Sequence, residues 1–292
     1  MVSPVAKQRF RLAVPALIAV LLFGYVLLDT WRRRARQPAV HPYRDAFNPL
    51  DHCNSPYDAV IGYAHGIPAF SNCHRLWTTE VRSYAALGDP LDVRRTPISD
   101  SVGLFRAMGH CWDAAEFITR FYYFHRGIFF TFNENDYDEY WSGLSFGDPF
   151  ESQLTYEVVQ LPNYAEANTK KERKRQAPRV ADIVVWSAQP EQDLPVGHMA
   201  VVVDVVDDVK AAGGETRLVE LRKKRMQPLL VYIAEQNFDN KGWEGRNYSR
   251  VLRFSWRKET EAELLDPDGH FIIGHARPGK AKLEGENENY DL

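Results

Sequence analysis

The side chains best placed for chemistry in this 292-residue chain are a histidine and an acidic residue, each attached to a run of strand-forming residues. His198 stands in Gly197-His198-Met199-Ala200, ahead of Val201-Val202-Val203. Glu235 and Asn237 close the run Ile233-Ala234-Glu235-Gln236-Asn237. If the two runs are adjacent antiparallel strands, their side chains come within hydrogen-bond reach, and a carboxylate can then orient an imidazole as a general base requires. A cysteine hydrolase adds a thiolate at the start of a helix, where backbone N–H groups and the helix dipole lower the thiol pKa. Taken alone, a histidine before a β run is more often a core residue, and a glutamate at a strand end is more often a surface one.

The elements that must position these groups can be read from periodicity. Trp112 to His125 carries apolar residues at Ala114, Phe117, Ile118, Phe121, Tyr122 and Phe124, the spacing of a helix that starts after a Gly-containing loop. Glu134 to Trp141 reads as a second short helix. Glu166 to Arg179, with Lys170-Lys171-Glu172-Arg173-Lys174-Arg175, reads as a solvated charged loop. Short β-type runs follow at Ile183 to Trp186, His198 to Asp204, Leu218 to Leu221, Leu229 to Ala234 and Val251 to Trp256. Helices first and an antiparallel sheet after them predict an α+β fold.

Composition narrows the class. With 45% hydrophobic residues the chain can bury a full core, and a formal net charge of -3 excludes a general attraction to nucleic acid. Three cysteines are too few for a disulfide framework; Cys53 and Cys73 could pair, although buried free thiols are the plainer reading. His110, Cys111 and His125 lack a metal-ligand spacing, and neither a metal nor a cofactor is expected.

Leu12 to Leu28 is uncharged and apolar, so a transmembrane helix is expected over residues 12–31, in contact with a lipid bilayer. No small-x-small cleavage site follows, which favours a retained anchor over a signal peptide. Residues 1–11 are a basic N-terminus, 32–50 a Pro- and Arg-rich stalk, 51–277 the folded domain and 278–292 an acidic tail. The absence of acidic residues before Leu28 favours the mitochondrial inner membrane over the secretory pathway.

The segment Met108-Gly109-His110-Cys111-Trp112-Asp113-Ala114-Ala115-Glu116-Phe117 resembles a mutated nucleophile motif of the CHAP amidase domains found in trypanothione and glutathionylspermidine synthetases, K-[WY]-Q-C-V-E-F-A-R-R. Gly62-Tyr63-Ala64-His65-Gly66-Ile67-Pro68-Ala69-Phe70-Ser71-Asn72 and Pro195-Val196-Gly197-His198 are also similar to that family. The resemblance covers about Ser55 to His275 and implies a papain-like fold with helices packed on an antiparallel sheet. It makes His198, Glu235 and Asn237 the remnants of a catalytic set. It puts Ala114 on the nucleophile, Asp113 on the neutral amide beside the oxyanion, Thr119 on the first of two substrate-binding arginines, and Cys111 on the lysine before the helix. An anionic Asp113 would oppose an oxyanion. Cys111 lies about one helical turn, roughly 5 Å, from Ala114, too far to take over the attack.

The expectation is therefore a membrane-anchored, catalytically inactive domain acting as an accessory subunit, with other protein subunits of a membrane complex as partners. Two alternatives remain: an amidase using Cys111, or a water activated by His198 and Glu235, to cleave glutathionylspermidine-like or peptide amides; and a module that keeps the cleft to bind a ligand. The loss of arginine at Thr119 weakens the case for the family's own substrate as that ligand.

Overall fold

The computed structural model describes residues 52–77, 79–95, 104–132 and 141–283. The chain opens with a hairpin of β1 (Val60–Ala64) and β2 (Ile67–Phe70), then a three-stranded sheet of β3 (Arg82–Ala86), β4 (Asp89–Arg94) and β5 (Phe105–His110) in the order β4-β3-β5. Helix α1 (Ala114–Arg126) follows, and after it β6 (Phe129–Thr131), β7 (Ser145–Gly147) and β8 (Leu154–Pro162). Then come α2 (Lys170–Gln176), β9 (Ile183–Trp186), β10 (His198–Asp207), α3 (Val209–Ala212) and α4 (Glu215–Lys224). The chain closes with β11 (Leu229–Ala234), β12 (Arg250–Arg257), β13 (Glu261–Leu265) and β14 (Ile272–Leu283). Nine strands form one antiparallel sheet in the order β13-β12-β11-β10-β9-β14-β8-β7-β6. The fold class is α+β, as the sequence predicts, but five strands precede α1 where helices were expected.

The centre of the large sheet explains why its strands were legible. All four residues of β9 and the first six of β10 are buried, so both read as continuous apolar runs. Phe117, Ile118, Phe121 and Tyr122 of α1 pack with Ile183, Val185, Met199, Val201 and Ala276 in one core. Val184, Trp186, Val202, Val231, Ile233, Leu252 and Phe254 form a second. Helix α1 starts on Asp113, whose Oδ1 accepts from the Ala114 N–H at 2.6 Å, and stops at Gly127, left-handed with φ 63°.

Several expectations are corrected. Residues 166–179 are not all loop: Thr169 accepts from the Glu172 N–H and the Glu172 carboxylate accepts from the Thr169 N–H, a capping box that starts α2. Leu218 to Leu221 is helical rather than extended. Only Leu218 is buried in α4, the Arg217 guanidinium donates to Glu220 one turn on, and Arg222, Lys223 and Lys224 complement the helix C-terminus. β14 runs on to Leu283, through residues that show no core pattern in the sequence. Cys53 and Cys73 form a disulfide. The second helix expected at Glu134 to Trp141 falls almost wholly outside the described residues.

The expectation of a single-pass membrane protein is also corrected. Among the described residues no helix is long and apolar enough to cross a membrane, and the span expected over 12–31 lies outside them.

One buried polar cluster ties α1 to the rest of the domain. Arg120, with no exposed surface, donates to both Glu116 oxygens at 2.5 and 2.9 Å, to the Pro68 carbonyl at 2.7 Å and to Gln236 Oε1 at 3.2 Å. Removing one partner of a buried pair strands the other, so Arg120→Met is expected to cost about 3–5 kcal/mol of unfolding free energy. Urea denaturation measures it; a loss below about 1 kcal/mol would show that the cluster does not hold the fold.

Candidate functional site

His198 opens β10 opposite Trp186. The turn before it needs glycine: Gly197 has φ 76°, and a Cβ there would stand 2.6 Å from the Trp186 carbonyl oxygen. The His198 ring is buried between Trp186 and Phe238, with centroids 5.3 and 5.2 Å away. In the adjacent pairing Val201 faces Ala234, so Glu235, one step further, becomes the diagonal neighbour of His198. The ring Nε2 and Glu235 Oε2 are 2.8 Å apart.

Glu235 is backed by cation. Arg250 donates to its Oε1 at 2.6 Å and its Oε2 at 3.1 Å, and Ser249 Oγ donates to Oε1 at 3.0 Å. Arg250 is itself held by Asp266 at 3.0 Å and Asp268 at 2.7 Å. Burial pushes the Glu235 pKa up, but the Arg250 charge and the hydrogen bond from His198 outweigh it and hold the carboxyl well below the usual carboxylate range. An ionised carboxylate only accepts, so Nε2 carries the proton and Nδ1 is the ring nitrogen left to act as acceptor.

The start of α1 comes to the same place. Arg75, Asp113, Ala114, Gly197, His198 and Asn237 are among the residues around a cavity of about 30 Å³, which is room for about one water. Burial pushes the Asp113 pKa up, opposed by the Ala114 N–H and by His198. The carboxyl at this position is thereby drawn toward its neutral form, which can donate a proton instead of repelling an oxyanion.

The other sequence candidates lie elsewhere or act indirectly. Cys111 is buried and does not line the cavity; its thiol is pushed up to about 12 by burial and then by the charges of Glu116 and Asp58. A thiol so held is a poor nucleophile. Thr119 is buried too, donating to the carbonyls of Ala115 at 2.9 Å and Phe130 at 3.3 Å, and it packs rather than facing the cavity. Asn237 does line it, in a left-handed conformation with φ 61°.

Sequence reasoning missed Arg75, Gln236 and Arg250. Gln236 sits between Glu235 and Asn237, yet its side chain turns to α1, donating to the Asp113 carbonyl at 3.0 Å and to Glu116 at 2.9 Å. Arg250 lies 15 residues from its partner with no motif linking the two. Among the described residues no cluster of three or more His, Cys, Asp or Glu side chains is arranged to hold a metal ion.

No protein-family model matches the chain. The chain is similar to glutathionylspermidine synthase of Crithidia fasciculata, 28% identical over 217 residues, which cover 73% of this chain and 25% of that protein. It thus spans about a quarter of the length of the curated relative it matches. This distant relationship points to an enzyme family and overturns the expectation that the chain is a catalytically inactive domain.

The low pKa of Glu235 makes a stability prediction. Its contribution is full above the unfolded carboxyl pKa and is lost as pH falls toward the lower folded value. Glu235→Gln should therefore cost about 3–5 kcal/mol at pH 7, with the gap to the native protein shrinking below about pH 4. Urea denaturation across pH 3 to 8 checks it, and a gap independent of pH would refute the ion pair.

Proposed function

We propose, from the premise of a distant relationship to glutathionylspermidine synthase, that this chain is an amide-bond hydrolase of papain-like layout. Its nucleophile is a water molecule rather than a thiolate. The observation that carries the reading is the small cavity that Asp113, Ala114 and His198 help to line, with the far nitrogen of His198 held by Glu235. The side chain of Ala114 is a methyl group, which leaves space for a water between an imidazole that accepts and a carboxyl that donates.

The proposed reaction balances without a cofactor. His198 Nδ1 takes a proton from the water as its oxygen adds to the amide carbon. Glu235 and Arg250 stabilise the imidazolium that forms. The tetrahedral intermediate collapses with cleavage of the C–N bond, and Asp113 gives its proton to the leaving nitrogen. The imidazolium proton then returns to Asp113, leaving a carboxylic acid and an amine as products. The substrate class is an amide of the glutathionylspermidine kind, in which a peptide carboxyl is joined to a polyamine.

Spermidine release from glutathionylspermidine by the purified protein tests this. Turnover is expected, falling at least about 100-fold in both His198→Ala and Asp113→Asn, in keeping with the usual worth of a general acid or base. Cys111→Ser should leave the rate unchanged. Absence of turnover in the native protein, or its loss in Cys111→Ser, would contradict the reading.

A further inference from the structure

The far end of β10 carries a second cavity that the amidase reading does not use. From His198 to Val206 the strand advances about 25 Å at roughly 3.3 Å per residue, so the two places are well separated. This cavity measures about 400 Å³ and lies among α2, the end of β10, the turn after α4, and strands β11 and β12. That volume is within the range of small-molecule sites.

Its charge runs against that of the chain. The protein has a formal net charge of -3, yet Arg173, Lys174, Arg179 and Arg225 converge here. The carboxylate that also lines the cavity, Asp207, is bound to Arg222 at 2.5 Å. Among the described residues no ion pair neutralises the four cations. Two are positioned by neutral acceptors instead: Arg173 donates to the carbonyls of Ala167 at 3.1 Å and Lys224 at 3.2 Å, and Arg179 to that of Lys174 at 2.8 Å. Guanidinium groups held by neutral carbonyls keep their charge, and the N–H groups left over can serve an outside anion.

The floor is aromatic. Phe254 is buried and Trp256 packs edge-on against it, ring centroids 5.3 Å apart, with Trp256 half-buried at the cavity wall. A bare anion has no use for such a surface, whereas a ligand that joins several negative charges to a flat ring satisfies both halves. We propose that this cavity binds a nucleoside polyphosphate, with its phosphates on Arg173, Lys174, Arg179 and Arg225 and its base against Trp256.

Calorimetric titration of the full-length protein with ATP and with inorganic tripolyphosphate tests the assignment. ATP should bind, and more tightly than tripolyphosphate. The exposed double variant Arg179→Glu/Arg225→Glu should weaken ATP at least about tenfold, and raising the salt concentration should weaken it further. Trp256→Leu should remove the preference for ATP over tripolyphosphate. Absence of binding at millimolar ATP, unchanged binding in the double variant, or equal binding of the two ligands by the native protein would each overturn it. The titration needs no amide turnover, so its outcome is independent of the catalytic reading.

Discussion

The structure depends on a charge pair that has no contact with solvent. Glu116 and Arg120 lie one turn apart on α1 with no exposed side-chain surface, and removing two ions from water is costly unless every polar atom is answered. Here the answers come from three separate segments. Ser83 of β3 donates to Glu116 at 2.7 Å, Pro68 of β2 accepts from Arg120, and Gln236, two residues after β11, bonds to both members of the pair. The rings of Phe70 and Phe117 lie 5.1 and 5.6 Å from the guanidinium carbon. Because Gln236 also holds the Asp113 carbonyl, the start of α1 is fixed against the end of β11. Those two ends carry the candidate site: Asp113 and Ala114 on one, Glu235 and Asn237 on the other.

Within that frame two carboxyls experience opposite environments. Glu235 is buried and Asp113 half-buried, and the loss of water around each raises its pKa. Glu235 has Arg250 across both oxygens and is drawn down, while Asp113 accepts from one backbone N–H and, among the described residues, forms no ion pair with an Arg or Lys, and stays up. A site with one carboxyl drawn toward its ionised form against an imidazole, and another drawn toward its neutral form on the same small cavity, has the polarity of acid and base catalysis. The opposite directions come from the surroundings, since both groups are carboxyls.

The parts of this fold legible in the sequence are those that supply apolar side chains to the two cores. β9, β10, β11 and β12 supply apolar residues to the two cores, so each gives a recognisable run, and α1 shows a full helical stripe. β4, Asp-Pro-Leu-Asp-Val-Arg, is an exposed edge strand carrying a proline, and no pattern marks it. α2 is nearly all charge, and its only local sign is Thr169 three residues before Glu172, a capping signal that the charge run obscured. His198 and Glu235 could be paired because each adjoins a strand that was readable. Arg250, Gln236 and Arg75 were hidden for the opposite reason: their roles come from contacts across the fold, which no spacing in the chain encodes.

Glu235 holds the proton of His198 on Nε2 and leaves Nδ1 free to accept, as the proposed general base must. Nitrogen-15 NMR of histidine-labelled protein reads that tautomer directly. A protonated Nε2 and an unprotonated Nδ1 are expected for neutral His198, with that preference lost in Glu235→Gln. A proton resident on Nδ1 in the native protein would contradict it.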